Sequence, residues 1–434
     1  MMKQLLQTFN VNSLLGKSFG VLVLRLLGVA LFFGLTLYLT NEVPTQGVGQ
    51  YDFSRALLLF IGAIALFGMQ QSVIFYSGFF AAKDNLGQLR HVYGKMVLIV
   101  FVLALLLNIG LSVLAPIINK WTTSPIDGIA YQTFYGVAFY ALTMLNIDVL
   151  RAMGKIYLSE LFRNILRYAL FFVAVVVLVL THQTGLLVTV FLVNFGVLAL
   201  ASGFFILYFF STPAFRPGDQ TQKVSTSSIL KRSAPMAISA TSFLLMQSLD
   251  VLMLKNYVDY ESVAIYSVAV KLTLLVSVVL SSVNAVLGPQ IAKDFNKNDV
   301  SALRLKIKKS TRSIFVSTTP IIIGLALLAQ PILSLFGPAY IQAHGALLIL
   351  LAGQMVNAFC GSVGVYLNMT SKQIAFQWII ASAVVVNVIL NGVLIPRYGM
   401  LGAAIATSSS MILWNITAVT YVYWKDKTRT FLTW

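Results

Sequence analysis

Apolar runs long enough to cross a lipid bilayer recur along almost the whole of this chain, and that recurrence leaves few folds open. An α-helix rises about 1.5 Å per residue and a hydrocarbon core is about 30 Å thick, so one crossing takes about 20 mostly apolar residues. Runs of this kind fall at about 19–40, 56–80, 96–116, 131–150, 161–181 and 185–210, then again at about 233–255, 262–288, 313–336, 344–368, 374–395 and 401–424. Lipid offers no partner to an unpaired N–H or C=O, so each run reads as a helix that satisfies its own backbone. Six runs stand on each side of a polar stretch. The expected architecture is therefore an all-α polytopic membrane protein of about 12 transmembrane helices, with an N-terminal six-helix lobe over 1–210, a connector over 211–232 and a C-terminal six-helix lobe over 233–434.

Composition agrees, since 58% of the 434 residues are hydrophobic and 10% charged, whereas a soluble domain carries about 25% charged residues. The first apolar run lacks a small-residue cleavage site and reads as an uncleaved span. A net charge of +17 would suit a nucleic-acid partner, but in a membrane protein Lys and Arg are first explained by topology, because they collect in cytoplasmic loops. With the N-terminus inside, 22 of the 30 basic residues fall on the cytoplasmic side, and four (Arg55, Lys120, Lys255, Arg397) fall on the other. Both termini are thus expected in the cytoplasm, and no nucleic-acid partner is needed. The basic stretch KDFNKNDVSALRLKIKKSTR, from Lys293 to Arg312, reads as a loop helix resting on anionic headgroups. Four basic residues remain inside spans: Arg25, Arg163, Arg167 and Lys271.

A charge within a span costs from about 2.5 kcal/mol upwards, so it faces protein, water or an anion unless its side chain can reach the interface. Arg25 has both readings open, snorkelling or a cavity role. Asp250, near the outer end of the seventh run, is the clearest intramembrane acid, either a structural ion pair with Lys271 or Arg25 or a group that takes up a coupling ion. Arg163 and Arg167 stand i, i+4 on one helix face near the cytoplasmic end, as an entrance for anions or as lipid anchors. Gln70, Gln71, Gln247, Asn284 and Asn357 supply amides inside spans, suited to sugar hydroxyls or to holding helices together. The three histidines are scattered, Cys360 is alone, and neither a metal spacing nor a nucleophile–base set is apparent, so no metal, no cofactor and no enzyme activity are expected. Val48-Gly49-Gln50-Tyr51 before Arg55 and Val263-Ala264-Ile265-Tyr266 before Lys271 read as a faint internal repeat.

Several longer stretches resemble a known family. GQYDFSRALLLFIGAIALFGMQQS, LKRSAPMAISATSFLLMQSLDVLML, IYSVAVKLTLLVSVVLSSVNAVLGPQIAK, LFGPAYIQAHGALLILLAGQMVNA and NVILNGVLIPRYGMLGAAIATSSS together resemble the bacterial polysaccharide-export, O-antigen-type oligosaccharide flippases. These belong to the superfamily that also contains multidrug antiporters and lipid II flippases. The resemblance implies two bundles around a central cavity, a multi-pass protein of the bacterial inner membrane, and a polyprenyl-diphosphate-linked oligosaccharide as substrate, with membrane lipids and other polysaccharide-assembly proteins as partners. On that footing Arg25 and Lys271, from opposite lobes, could share one diphosphate, Arg as a bidentate donor and Lys as a point charge, with Arg55 and the amides nearby. A cation-coupled multidrug antiporter is the alternative, although the N-terminal lobe is acid-poor. A polysaccharide polymerase or ligase would need larger outer loops than 41–55 or 117–130 provide.

Overall fold

The computed structural model describes residues 14–81, 85–121, 126–215, 224–297 and 299–433. Within them helix is the dominant structure and there is no strand. The N-terminal series is α1 (Leu14–Glu42), α2 (Thr45–Leu66), α3 (Met69–Ala81), α4 (Leu89–Trp121), α5 (Gly128–Ala152), α6 (Ile156–Glu160), a π-helical turn (Leu161–Leu166), α7 (Arg167–Leu180) and α8 (Leu187–Phe210). There follow α9 (Thr226–Tyr257), α10 (Tyr260–Asn296), α11 (Val300–Leu327), α12 (Ala329–Ser334), α13 (His344–Cys360), α14 (Val363–Met369), α15 (Gln373–Tyr398) and α16 (Met400–Asp426). Among the described residues 10 helical segments are long and apolar enough to cross a membrane, and the pair α2 and α3, bent by 42°, brings the number to 11. The expected run not among these is the seventh, 233–255, which lies in α9; that helix has the length but carries Lys231, Arg232, Asp250 and Lys255.

The bend between α2 and α3 has a local cause. Phe67 (φ 45°) and Gly68 (φ 72°) both take the left-handed conformation, which ends one helix and redirects the next. A side chain at Gly68 would meet the backbone of Ser233 and Ala237, so the bend is seated directly on the first half of α9.

The chain divides into two compact units: Met1–Gly47 with Leu57–Thr241, and Val48–Ala56 with Ser242–Trp434. The division falls inside α9 rather than in the polar connector, of which 216–223 lie outside the described residues.

In the first unit α5 is the central helix, with 72% of its most apolar stretch buried. It docks on α8 through small and polar groups, the usual means where lipid gives no hydrophobic drive to helix pairing. Thr143 donates to the Phe195 carbonyl at 2.9 Å, and Asn146 donates to the Ala199 carbonyl at 3.1 Å and the Ser202 hydroxyl at 3.0 Å. The opposite side of α8 exposes Leu200, Phe204 and Leu207, an apolar face suited to lipid.

In the second unit α10 is the central helix, 61% buried over its apolar stretch. The basic stretch expected as a loop helix is split: Asp299 caps the start of α11, and Lys306 pairs with Asp294 at 2.6 Å. Hydrogen bonds from Ala302 N–H and the Ser301 hydroxyl hold the exposed Asp299 carboxyl below the usual carboxylate range. Residues 426–432 fold back over the same unit, where Tyr366 donates to Asp426 at 2.7 Å, Thr311 to the Thr430 carbonyl at 2.8 Å, and Leu432 N–H to the Phe359 carbonyl at 2.9 Å.

Val48–Ala56 joins this second unit by close backbone contact. A Cβ on Gly49 would overlap the Tyr260 carbonyl, so Gly49→Ala is expected to push α2 off α10 and destabilise the protein by about 1–3 kcal/mol. A thermal melt of the detergent-purified protein checks this, with Gly78→Ala, whose Cβ meets nothing within 4 Å, as the control.

Candidate functional site

Charge inside the apolar frame is concentrated in one cluster per unit. In the first unit Arg25 reaches from α1 to the end of α6, where its Nε and Nη2 donate to the two carboxylate oxygens of Glu160, each at 3.1 Å. The Glu160 side chain is 1% exposed and that of Arg25 51%. Glu160 also accepts from Arg151 Nη2 and from Asn164 Nδ2, the latter at 2.8 Å. Asp148 takes Arg163 at 2.6 Å and lies 3.9 Å from the second Arg151 nitrogen. Three guanidiniums thus surround two carboxylates, which leaves a net positive charge with Arg25 as its most exposed member.

Local backbone builds this cluster. The π-helical turn after Glu160 inserts an extra residue into the helix, a distortion often found at functional sites. It also separates the i, i+4 pair expected to share a face: Arg163 joins Asp148, while the Arg167 guanidinium lies over the rings of Tyr168 and Phe195 at 5.5 and 5.3 Å. Gly28 lets α1 approach the turn, since a Cβ there would stand 2.6 Å from both the Asn164 carbonyl and its Cβ.

In the second unit Lys271 Nζ lies 2.7 and 2.8 Å from the two oxygens of Asp52, with side chains 1% and 0% exposed. Arg55 is 3.7 Å from the same carboxylate, and the Tyr51 ring centre is 5.8 Å from the ammonium. Asp250 has a different setting from the ion pair with Lys271 or Arg25 held open above. It is buried and accepts from Tyr266 Oη at 2.6 Å, Thr407 Oγ1 at 3.3 Å and Val251 N–H at 2.9 Å. A carboxylate held by hydroxyls rather than by a cation is equipped to hold a proton or a small cation.

The amides are dispersed. Gln70 Oε1 and Asn284 Oδ1 are buried without a hydrogen-bond partner among the described residues, Gln71 and Gln247 are exposed, and Asn357 donates to Gln354 at 3.3 Å. Arg25 and Lys271 belong to different units, and each is engaged by a carboxylate of its own unit. Sequence reasoning missed those carboxylates, Glu160 and Asp52. The available signal was spacing, as Asp52 precedes Arg55 and Glu160 precedes Arg163 by three residues. Among the described residues no three His, Cys, Asp or Glu side chains are grouped to hold a metal.

A helical chain of two units, with membrane-length segments throughout and a cluster of charges in each, is a polytopic membrane protein. Its fold is similar to that of a solved structure described as the lipid II flippase MurJ, inward closed conformation, with a TM-score of 0.71 at 16% identity over 93% of this chain and 87% of that one. The chain belongs to the polysaccharide biosynthesis protein family, whose model matches residues 15–295. The MatE model matches residues 235–393. An uncharacterized membrane protein of Methanocaldococcus jannaschii is 27% identical over 398 residues, covering 85% of this chain and 75% of its own length. A probable flippase of Haloferax volcanii, AglR, is 27% identical over 174 residues, 39% of this chain and 37% of the relative. The resemblance to polysaccharide-export flippases thus holds at the level of the family, while these two relatives are archaeal.

Proposed function

We propose that this protein is a flippase that carries a polyprenyl-diphosphate-linked oligosaccharide from the cytoplasmic to the outer leaflet by alternating access, for surface polysaccharide or glycan synthesis. The observation that carries the reading is Arg25, a half-exposed guanidinium within a membrane-length helix, in a cluster with more guanidiniums than carboxylates. Arginine donates two parallel hydrogen bonds to phosphate oxygens, so a diphosphate can exchange with Glu160 for the same guanidinium edge. Arg163 draws the anion towards that cluster, with Arg167 behind it. The uncommitted oxygens of Gln70 and Asn284, the exposed Gln71 and Gln247, and Asn357 and Arg55 are the groups we assign to sugar hydroxyls, each within its own unit. Asp250 is the group we assign to ion coupling. Family membership and the similarity to AglR, which is described as a probable flippase, support the reading. We place the protein in the cytoplasmic membrane with both termini in the cytoplasm, a reading that the distribution of Lys and Arg supports.

The test is reconstitution of the purified chain into liposomes loaded with a fluorescent polyprenyl-diphosphate oligosaccharide. Protein-dependent exposure of the sugar to an external glycosidase is the expected result, and no exposure above that of empty liposomes overturns the proposal. The MatE match favours a second reading, a cation-coupled multidrug antiporter. Expression in a pump-deficient host separates the two, since increased drug tolerance would favour the antiporter.

A further inference from the structure

Beside the Arg25 cluster lies a groove that the charge chemistry does not use. Gly20, Val23 and Leu24 of α1 face Tyr157 and Leu158 of α6 and Leu161 of the π-helical turn across a space of about 580 Å³, within the ~300–1,000 Å³ range of ligand pockets. Apolar surface alone means nothing in a membrane protein, because lipid covers any such face. Here α1 and α6 leave a shallow, open recess between them, and its shape is built. A Cβ on Gly20 would stand 2.7 Å from the Tyr157 ring, so the glycine lets that ring lie against the α1 backbone as one wall. The groove also ends at charge: Leu24 precedes Arg25 in the chain, and Glu160, which holds Arg25, stands between Leu158 and Leu161.

We infer that this groove between α1 and α6 seats the first isoprene units of the lipid chain while the diphosphate sits on Arg25. The inference rests on the flippase reading and deepens it. Charge complementarity selects the occupant. The adjoining cluster has an excess of positive charge but already contains Glu160 and Asp148. An incoming headgroup must compete with a carboxylate for Arg25, and a diphosphate, with more negative charge and more oxygens than a phosphodiester, does so better than an ordinary phospholipid. Under the orientation read from Lys and Arg, the groove lies in the cytoplasmic third of the membrane, the leaflet in which such a lipid is assembled. Chain and headgroup are then recognised together by one unit, so a bare diphosphate lacks half of the recognised surface.

The experiment uses the full chain in lipid nanodiscs and geranylgeranyl diphosphate with a diazirine on its chain near the diphosphate. Illumination followed by peptide mapping is expected to place the label on 20–24 and 157–161. Val23→Trp, which fills the groove from the exposed side of α1, is expected to lower labelling about tenfold by removing the apolar contact. Leu158→Trp fills it from the opposite wall and repeats the test should the first variant fold poorly. Excess unlabelled geranylgeranyl diphosphate should compete, whereas phosphatidylglycerol at the same concentration should not. Label elsewhere, labelling unchanged in both variants, or equal competition by phosphatidylglycerol, which would make the groove a general lipid seat, overturns the inference. Should liposomes show no flipping while the label still maps to the groove, the flippase reading fails and the groove stands. Should flipping occur with the label elsewhere, the groove alone fails.

Discussion

Lys271→Met is expected to leave little correctly folded protein in the membrane. Lys271 and Asp52 are fully buried against each other, and removing one partner of such a pair typically costs about 3–5 kcal/mol, because the remaining charge is left in a poor solvent. Arg55, at 3.7 Å, softens the loss without replacing a contact at 2.7 Å. The companion Asp52→Asn with Lys271→Met removes both charges and is expected to recover most of the abundance, since a buried pair replaced by neutral groups is often close to neutral in stability. Thermal melts and membrane abundance read this directly. Transport by the double variant then separates two roles: recovery with the abundance shows that the pair only holds α2 to α10, and abundance without transport shows that its charge is used. A single variant as stable as the parent would show that the pair is not buried in the folded protein.

Arg25→Ala should behave in the opposite manner. Its side chain is half exposed, and ion pairs of that kind contribute about 0–1 kcal/mol, so abundance and melting temperature should barely change. Glu160 keeps Arg151 and Asn164 as donors. Transport, by contrast, loses both hydrogen bonds of a bidentate phosphate contact, each worth about 1.5–3 kcal/mol when charged, which predicts a fall of about a hundredfold or more in flipping rate. Arg25→Lys should rescue poorly, because an ammonium cannot present the paired donors. Full flipping by Arg25→Ala would remove Arg25 from the substrate path.

These contrasts also show what could be read from the amino-acid sequence and what could not. The helices were legible because a bilayer fixes both the length and the polarity of a crossing segment, and α1, α8 and α16 fall within a few residues of their apolar runs. Breaks within the helices were not. A left-handed Phe67 carries no compositional mark, and the π-helical turn at Leu161–Leu166 changes the period of a stretch whose apolar residues fit the ordinary one. Arg25 and Lys271 stood out because they are charges in apolar runs. Their partners did not, since Glu160 follows a short polar stretch that reads as interfacial, and Asp52 lies 219 positions from Lys271. The faint repeat is also recast: the two short words with Tyr51 and Tyr266 belong to the same unit, and Tyr51 lies beside Lys271.

The membership of Val48–Ala56 in the second unit bears on how the protein can be cut. A fragment beginning at the polar connector would contain every helix from α9 onwards yet lack Asp52, leaving Lys271 buried without its carboxylate and Tyr260 without the backbone of Gly49. The two halves of the chain are therefore not interchangeable cassettes. A chimera that exchanges the C-terminal half between relatives must carry residues 48–56 with it.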